Sequence, residues 1–337
     1  MPLLFESLSH QIYLSAPLFI LILLGYCLTR LGKWPASISE GMNRFVFNVA
    51  LPCMLFRVMS TFSQSPPVDA RLLLAFFGSC LLVFIVGRLL ATKLFNLDGV
   101  AASVFALGGI FSNNVMLGIP VATVLLGPEA LPPVALVLVF NSLILWTLLT
   151  VSVEWAKQGS FSLEGLWRTL LGVLKNPLII GILSGTAWSF LQRPLPLLAA
   201  EPLKMLASLA APLSLVTLGM SLAHYRVRDG LKESYTICLL KLVLQPMTVW
   251  AIAWLTDLPP LESKVVVLLG SMAVGVNVYL MSQKFNVITG PAAASMLFST
   301  VFAAVTTPIW MMLNDAGGLL TGKKKPLSRR AEGLFSG

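Results

Sequence analysis

Amide side chains inside apolar segments are the groups in this sequence that could do chemistry. Asn113 and Asn114 interrupt a long apolar stretch and are followed by Gly118 and Pro120. Because proline lacks an N–H and clashes with the preceding turn, and glycine weakens a helix, we predict a break between Asn113 and Pro120, with Pro120 beginning a second half-helix. A half-helix N-terminus in the middle of an apolar stretch suits a carboxylate, because it offers free N–H groups and a partial positive charge. The alternative is a proline kink whose amides bond neighbouring helices.

A second stretch, VVVLLGSMAVGVNVYLMSQKF, repeats this pattern more weakly. It carries Gly275 and Asn277 in its middle, with Tyr279 beyond them. Asn277 follows Asn113 by 164 positions. If two broken helices cross, Asn113 and Asn277 come together and form part of one binding site. The alternative for Asn277 is an interhelical hydrogen bond.

Two further polar residues fall inside apolar segments. Lys241 lies about nine residues into its segment, which is roughly 13 Å along a helix from the start of that segment. Its ammonium either reaches back to the membrane surface or lines a cavity and attracts anions. Asn141 either lines the same site or bonds a neighbouring helix. The 14 acidic residues all lie at segment ends or in connections. Because cation pumps often use a buried carboxylate, this distribution favours an anion or a neutral molecule as the ligand. A sodium ion bound by carbonyls and hydroxyls stays open as an alternative.

The overall composition identifies a membrane protein. The chain has 337 residues, of which 57% are hydrophobic and 11% are charged, against about 25% charged in soluble domains. A soluble enzyme and a nucleic-acid-binding module are therefore excluded, despite the net charge of +9. Four cysteines without a CxxC spacing and two histidines predict no metal site and no cofactor. An intramembrane enzyme would need a catalytic constellation at depth that the sequence lacks.

Ten apolar segments are long enough to span a bilayer, which takes about 20 residues. They are residues 12–29, 39–60, 70–92, 99–126, 131–153, 176–192, 203–223, 232–255, 262–285 and 290–313. We number these spans one to ten. Residues 154–175 read as an amphipathic segment at the interface, or as an extension of span six.

The chain repeats itself at an offset of 160 positions. The matching pairs are Pro17 and Pro177, Gly25 and Gly185, Pro52 and Pro212, and Asp69 and Asp229. Because five spans end on the side opposite to their start, the second half must be inverted. We therefore predict an all-α membrane protein built as a five-plus-five inverted repeat, as in secondary transporters. Its parts are residues 1–153, the connecting segment 154–175, residues 176–314 and a basic tail at 315–337.

Lysine and arginine predict the orientation. With the N-terminus outside, the inner connections hold twelve basic residues and the outer ones five, as the positive-inside rule requires. Ten spans then leave the basic tail outside, against the same rule. We expect an integral protein of a bacterial inner membrane.

Several motifs resemble those of one family. The segment SNNVMLGIP resembles the N-x-G-x-x-G-x-P motif of the auxin efflux carrier family, which has bacterial relatives named for malonate. Further matches are Leu51-Pro52, KLVLQP with Lys241 and Pro246, and NVYLMSQKF in span nine. Two departures are Val115, where the family often has glycine, and Ala273, where we expect proline, so that the second break should be softer.

The resemblance covers nearly the whole chain and implies both a fold and a function. It implies ten helices as in bile acid symporters, with spans four and nine broken and crossed, and export or import of organic carboxylates. We expect such transport to proceed by alternating access. Carried over by position, Asn113, Gly118 and Pro120 match span four, and Asn277 and Tyr279 match span nine.

Two other functions stay open at this point. One is a sodium-coupled symporter of the same architecture, and the other is a ligand-sensing membrane protein that kept the transporter fold. The sequence predicts a small organic anion and the lipid bilayer as partners. It leaves proton or sodium coupling, a homodimer, the direction of transport and the substrate undecided.

Overall fold

The computed structural model describes residues 2–64, 67–158, 171, 174–224 and 230–320. Regular structure in these residues is helical, apart from one isolated antiparallel bridge between Ser112 and Val274. The prediction of an all-α membrane protein is therefore confirmed. Most of the predicted interfacial segment 154–175, and most of the predicted tail 315–337, lie outside the described residues.

The described residues form fourteen α-helices. They are α1 Pro2–Arg30, α2 Ala36–Phe45, α3 Leu51–Met59, α4 Arg71–Phe95, α5 Gly99–Ile110, α6 Ile119–Leu126, α7 Leu131–Gln158, α8 Pro177–Phe190, α9 Leu197–Leu222, α10 Leu231–Leu239, α11 Gln245–Leu255, α12 Pro260–Ser271, α13 Val276–Phe285 and α14 Thr289–Leu320. Three π-helical turns connect some of them without a gap. They are Val46–Ala50 between α2 and α3, Asn114–Gly118 before α6, and Leu240–Leu244 between α10 and α11.

Seven helical stretches in the described residues are long and apolar enough to cross a membrane. They are Ile12–Arg30, Ala36–Gln64, Arg71–Phe95, Pro128–Lys157, Leu197–Leu222, Leu231–Leu255 and Thr289–Asp315. These correspond to predicted spans one, two, three, five, seven, eight and ten. Span six is the shorter helix α8, and spans four and nine are each divided into two helices.

Each π-helical turn is followed two residues later by a proline, namely Pro52, Pro120 or Pro246. A proline ring clashes with the carbonyl four residues earlier, and the wider π turn makes room for it. The position of the break in span four therefore differs from the prediction that Pro120 begins the second half-helix. Pro120 lies inside that half-helix and the break precedes Asn114, because the π turn accommodates the proline.

Both broken spans lie in the centre of the molecule. Residues 101–114 and 265–275 are buried without exception. The first half of span four starts at Asp98, whose carboxylate accepts hydrogen bonds from the N–H groups of Val100 and Ala101. Non-helical backbone at membrane depth is tolerated only where protein covers it. The surrounding helices provide that cover here.

Helices α1, α2, α3, α8 and α9 pack together as one group, which we call bundle A. Glycines bring their backbones into contact. Gly25 of α1 lies against the Val216 carbonyl of α9, and Gly219 of α9 lies against the Ile22 carbonyl of α1. Gly185 of α8 similarly lies against Phe56 of α3. Small residues at helix contacts are how membrane helices approach closely, since lipid provides no hydrophobic drive between them.

The remaining helices, α4 to α7 and α10 to α14, form bundle B. Buried polar contacts connect them across long sequence distances. The Gln245 side chain donates to the Ser79 hydroxyl at 3.2 Å, and the Thr307 hydroxyl donates to the Ser271 carbonyl at 3.2 Å. Both broken spans belong to bundle B.

Candidate functional site

The two breaks are paired through their backbones. The Asn113 N–H donates to the Ala273 carbonyl at 2.8 Å, and the Gly275 N–H donates to the Phe111 carbonyl at 2.8 Å. The Val274 N–H donates to the Ser299 hydroxyl at 2.9 Å. Because backbone groups freed by a helix break must find partners in the membrane, these bonds stabilise both breaks at once.

The break in span nine is complete even without a proline. Met272 and Gly275 have extended backbone, with ψ angles of 154° and 150°. The expectation of a softer break at Ala273 is therefore wrong. The break is complete because the other break supplies hydrogen-bond partners. The Asn113 N–H donates to Ala273 and the Phe111 carbonyl accepts from Gly275, in place of the bonds that an unbroken helix would have kept.

A cavity of about 540 Å³ lies beside the paired breaks, between bundle A and bundle B. Its size falls within the range of small-molecule sites, about 300–1,000 Å³. Its polar lining on the side of bundle A comprises Asn43 and Arg44 of α2, Asn48 of the adjoining π turn, Asn176 immediately before α8, and Ser221 of α9. Its polar lining from bundle B comprises Ser112, Asn113, Asn114, Asn141 and Asn277. Phe47, Phe111, Trp146 and several aliphatic side chains complete the wall.

Several polar atoms in the cavity wall have no partner. Both amide atoms of Asn114, the amide oxygen of Asn141 and the hydroxyl of Ser112 are buried without a hydrogen bond. An unsatisfied buried polar group costs about 1–3 kcal/mol, so each such group in a native structure needs an explanation. A polar ligand that enters this cavity would explain all of them together.

Two helix N-termini face the same space. Asn114, Val115 and Met116 open the second half of span four, while Val276 and Asn277 open α13, and all five line the cavity. The first turn of a helix carries N–H groups without an intrahelical partner and a partial positive charge. Together with the amides, these ends make the site receptive to an anion.

The structure brings four of the predicted site residues together. Asn113, Asn114, Asn141 and Asn277 all line the cavity, and the first three are at most 6% exposed. The sequence signals were the adjacent asparagines in span four, the position of Asn277 near the repeat offset, and an amide inside the apolar span five. That these residues bind a ligand stays a prediction.

Three other predicted residues lie outside the cavity lining. Gly118 packs against α12, where a Cβ atom would be 3.1 Å from the Leu269 side chain. Pro120 is buried within α6. Tyr279 accepts a hydrogen bond from the Gln283 amide at 2.8 Å. A direct contact with a ligand stays a prediction for each of these three residues.

Lys241 also lies outside the cavity lining. It is fully buried, and its ammonium donates to the Gly270 carbonyl near the end of α12. That carbonyl is free because Val274, which would continue the helix, donates to Ser299 instead. A cation at a helix C-terminus interacts favourably with the dipole. Lys241 thus supports the break in span nine, whereas its role in binding substrate stays a prediction.

Arg44 was not predicted as a site residue from the sequence, yet it is the only charged residue in the described lining of the cavity. It was counted among the basic residues that set the orientation. The signal available was its spacing from Asn48, since positions four apart share one face of a helix. Within the described residues, no group of three or more His, Cys, Asp or Glu side chains could hold a metal ion.

Comparison with known proteins yields one family and several full-length relatives. Residues 11–311 match the family described as Membrane transport protein. A Rhizobium meliloti protein named "Putative malonate transporter" is 27% identical over 91% of this chain and 96% of its own length. An uncharacterized transporter from Methanocaldococcus jannaschii is 25% identical over 86% and 94%, respectively. Auxin efflux carrier component 8 of Arabidopsis thaliana is 22% identical over 92% and 98%.

Proposed function

This chain belongs to the membrane transport protein family, which is that of the auxin efflux carriers, and on that basis we propose that it carries small organic anions across the membrane by alternating access. Family membership makes the protein an integral membrane transporter and not an enzyme. The substrate class and the mechanism are our proposal.

The observation that carries the proposal is the set of unpaired hydrogen-bond donors at the paired breaks. The Asn114 amide nitrogen and the Ser112 hydroxyl have no partners in the wall of a 540 Å³ cavity that two helix N-termini border. A carboxylate supplies acceptor oxygens for amide and backbone N–H groups, and its charge is favoured by both helix dipoles. The relative named for malonate fits this class of substrate.

We propose that the fold is a ten-helix inverted repeat. We count the seven long spans, α8 and the two divided spans as ten crossings. Asn113 and its backbone partner Ala273 are separated by the repeat offset of 160 positions. Gly25 and Gly185 share that offset, and each packs on the other half of bundle A. These relationships support a pseudo-two-fold axis that passes between the breaks.

Transport then consists of bundle B rocking against bundle A. The cavity receives side chains from both bundles, so a relative movement changes its access. We further propose that the N-terminus is outside. In that orientation, the bundle A residues Asn43, Arg44 and Ser221 lie at the inner ends of spans two and seven, and the cavity opens inward.

The membrane potential constrains the direction of transport. One charge is worth roughly 2.3 kcal/mol per 100 mV, and a negative interior repels anions. Export of a monoanion can therefore proceed as uniport, whereas import needs a coupled proton or sodium ion. The unpaired oxygens of Asn114, Asn141 and Ser112 would suit a sodium ion as well as a substrate donor, so the sodium-coupled symporter is the second candidate.

The test is flux in proteoliposomes that contain the purified protein. Labelled malonate, acetate and indole-3-acetate are followed under imposed pH, sodium and voltage gradients. Voltage-dependent carboxylate flux supports the proposal, and a requirement for a sodium gradient favours the second candidate. Binding of a carboxylate without any flux would indicate a sensor, and the absence of both contradicts the proposed substrate class.

A further inference from the structure

We propose that Arg44 is the residue by which this site selects doubly charged carboxylic acids over singly charged ones. The inference rests on the proposed function, because it concerns the same cavity. It goes further in assigning charge selection to a residue on bundle A, opposite the amides of the two breaks.

Arg44 is free to bind a ligand anion. Its side chain lines the cavity and is exposed, and within the described residues its guanidinium makes no hydrogen bond or ion pair. Each of the other cavity-lining residues described is uncharged. A guanidinium binds a carboxylate through two parallel hydrogen bonds, which provide geometric selection as well as charge.

The backbone around Arg44 is fixed by its neighbours. The Asn48 side chain donates to the Arg44 carbonyl at 2.9 Å. The Asn43 side chain donates to the Ser221 hydroxyl of α9 at 2.7 Å. These bonds hold the end of α2 against α9, so that Arg44 extends from a rigid helix end. Binding of a carboxylate then costs less conformational entropy of the protein.

The cavity therefore has two separate anion-receptive regions. One is formed by Asn113, Asn114 and Asn277 at the half-helix ends of bundle B, and the other is Arg44 on bundle A. A monocarboxylate can occupy only one of them at a time. A dicarboxylate that reaches both regions connects the two bundles whose relative movement transports it.

Lys241, the other candidate cation, does not compete for this role. Its ammonium is engaged by the Gly270 carbonyl and lies outside the cavity lining. Charge selection by the described residues of the site therefore depends on Arg44.

The test compares malonate with malonamate, its monoamide, which has the same carbon chain and one carboxylate fewer. Binding to the full chain in lipid nanodiscs is measured by calorimetry at a pH where all carboxyl groups are ionised. We expect the wild type to prefer malonate by about tenfold, since a guanidinium binds an ionised carboxylate more strongly than a neutral amide. Arg44→Gln should lose this preference, so that its affinities for malonate and malonamate become similar. Arg44→Lys should retain part of it, because it keeps the charge without the bidentate geometry.

Arg30→Gln is the matched control, because Arg30 ends α1 at an exposed position outside the cavity lining. It should leave both affinities unchanged. The inference is overturned if Arg44→Gln and Arg44→Lys keep the full malonate preference, or if Arg30→Gln removes it equally. If the wild type binds neither acid and transports no other carboxylate, the proposed function itself fails.

Discussion

The backbone N–H of Asn113 donates to the carbonyl of Ala273 at 2.8 Å, which joins two residues 160 positions apart at the breaks of spans four and nine. This bond and its neighbour between Gly275 and Phe111 replace hydrogen bonds that two unbroken helices would have made internally. Neither break could persist alone at membrane depth, because its freed backbone groups would be unsatisfied. The site is therefore formed by a mutual arrangement of the two halves of the chain.

Removing the amides at the breaks should impair carboxylate transport. In the proposed site, Asn113→Ala and Asn277→Ala would each delete hydrogen bonds to a charged substrate, worth about 1.5–3 kcal/mol. We expect proteoliposome flux of the transported carboxylate to fall about tenfold or more. Gln64→Ala, at an exposed position after α3, is the control and should transport normally. Unchanged flux in both asparagine variants would show that the substrate binds elsewhere.

Asn114 should be a residue whose replacement stabilises the fold and impairs function. Both its amide atoms are buried and unpaired, at a cost of about 1–3 kcal/mol for each unsatisfied group. Asn114→Leu has a similar size and removes that cost. We expect a higher melting temperature in detergent together with weaker carboxylate binding. A lower melting temperature would contradict the assignment, since it would mean that the amide is satisfied in the resting protein.

The contact between α1 and α9 should be intolerant of any side chain. A Cβ atom on Gly219 would overlap the Ile22 carbonyl. Gly219→Ala should therefore lower stability by about 1–3 kcal/mol, the usual cost of overpacking. Gly41→Ala is the control, because nothing lies within 4 Å of its Cβ position, and it should gain about 0.5–1 kcal/mol from helix propensity. Melting curves of the two variants measure the difference.

Lys241 should act through the break in span nine. Lys241→Met leaves the Gly270 carbonyl without its donor, which should cost about 1–3 kcal/mol of stability. We expect a lower melting temperature, with the affinity ratio of malonate to malonamate unchanged. Lys232→Met, at an exposed position on α10, is the control. A changed affinity ratio at unchanged stability would instead indicate direct contact with substrate.

The connection before α4 should give a small pH dependence of stability. The Arg71 side chain hydrogen-bonds the Asp69 carboxylate and holds the pKa of Asp69 below its ordinary value. A lowered carboxyl pKa stabilises the folded state above the unfolded pKa of about 3.9, and the benefit is lost as pH falls through the folded pKa. Asp69→Asn should therefore melt slightly earlier at neutral pH and equally at low pH. A deficit of Asp69→Asn that persists at low pH would contradict this account, because the carboxyl is then protonated in both states.

The transmembrane character and the two interruptions could be predicted from local sequence. Apolar runs of sufficient length, and the Asn-Gly-Pro pattern of span four, act through helix propensity and hydropathy, which depend on neighbouring residues. The asparagines could be grouped because the repeat offset relates the two halves. The exact position of the break could not be predicted, since the π turn that accommodates Pro120 depends on backbone partners at Phe111 and Ala273.

By itself, the sequence determined that this is an all-α membrane protein with polar interruptions in two spans, and that asparagines rather than acids lie at depth. Only the tertiary structure decided which cation faces the cavity. Lys241 and Arg44 are both basic residues in apolar spans, but Lys241 points to the end of α12 and Arg44 lines the space between the bundles. The direction of a side chain follows from how distant helices pack, and no local pattern encodes it.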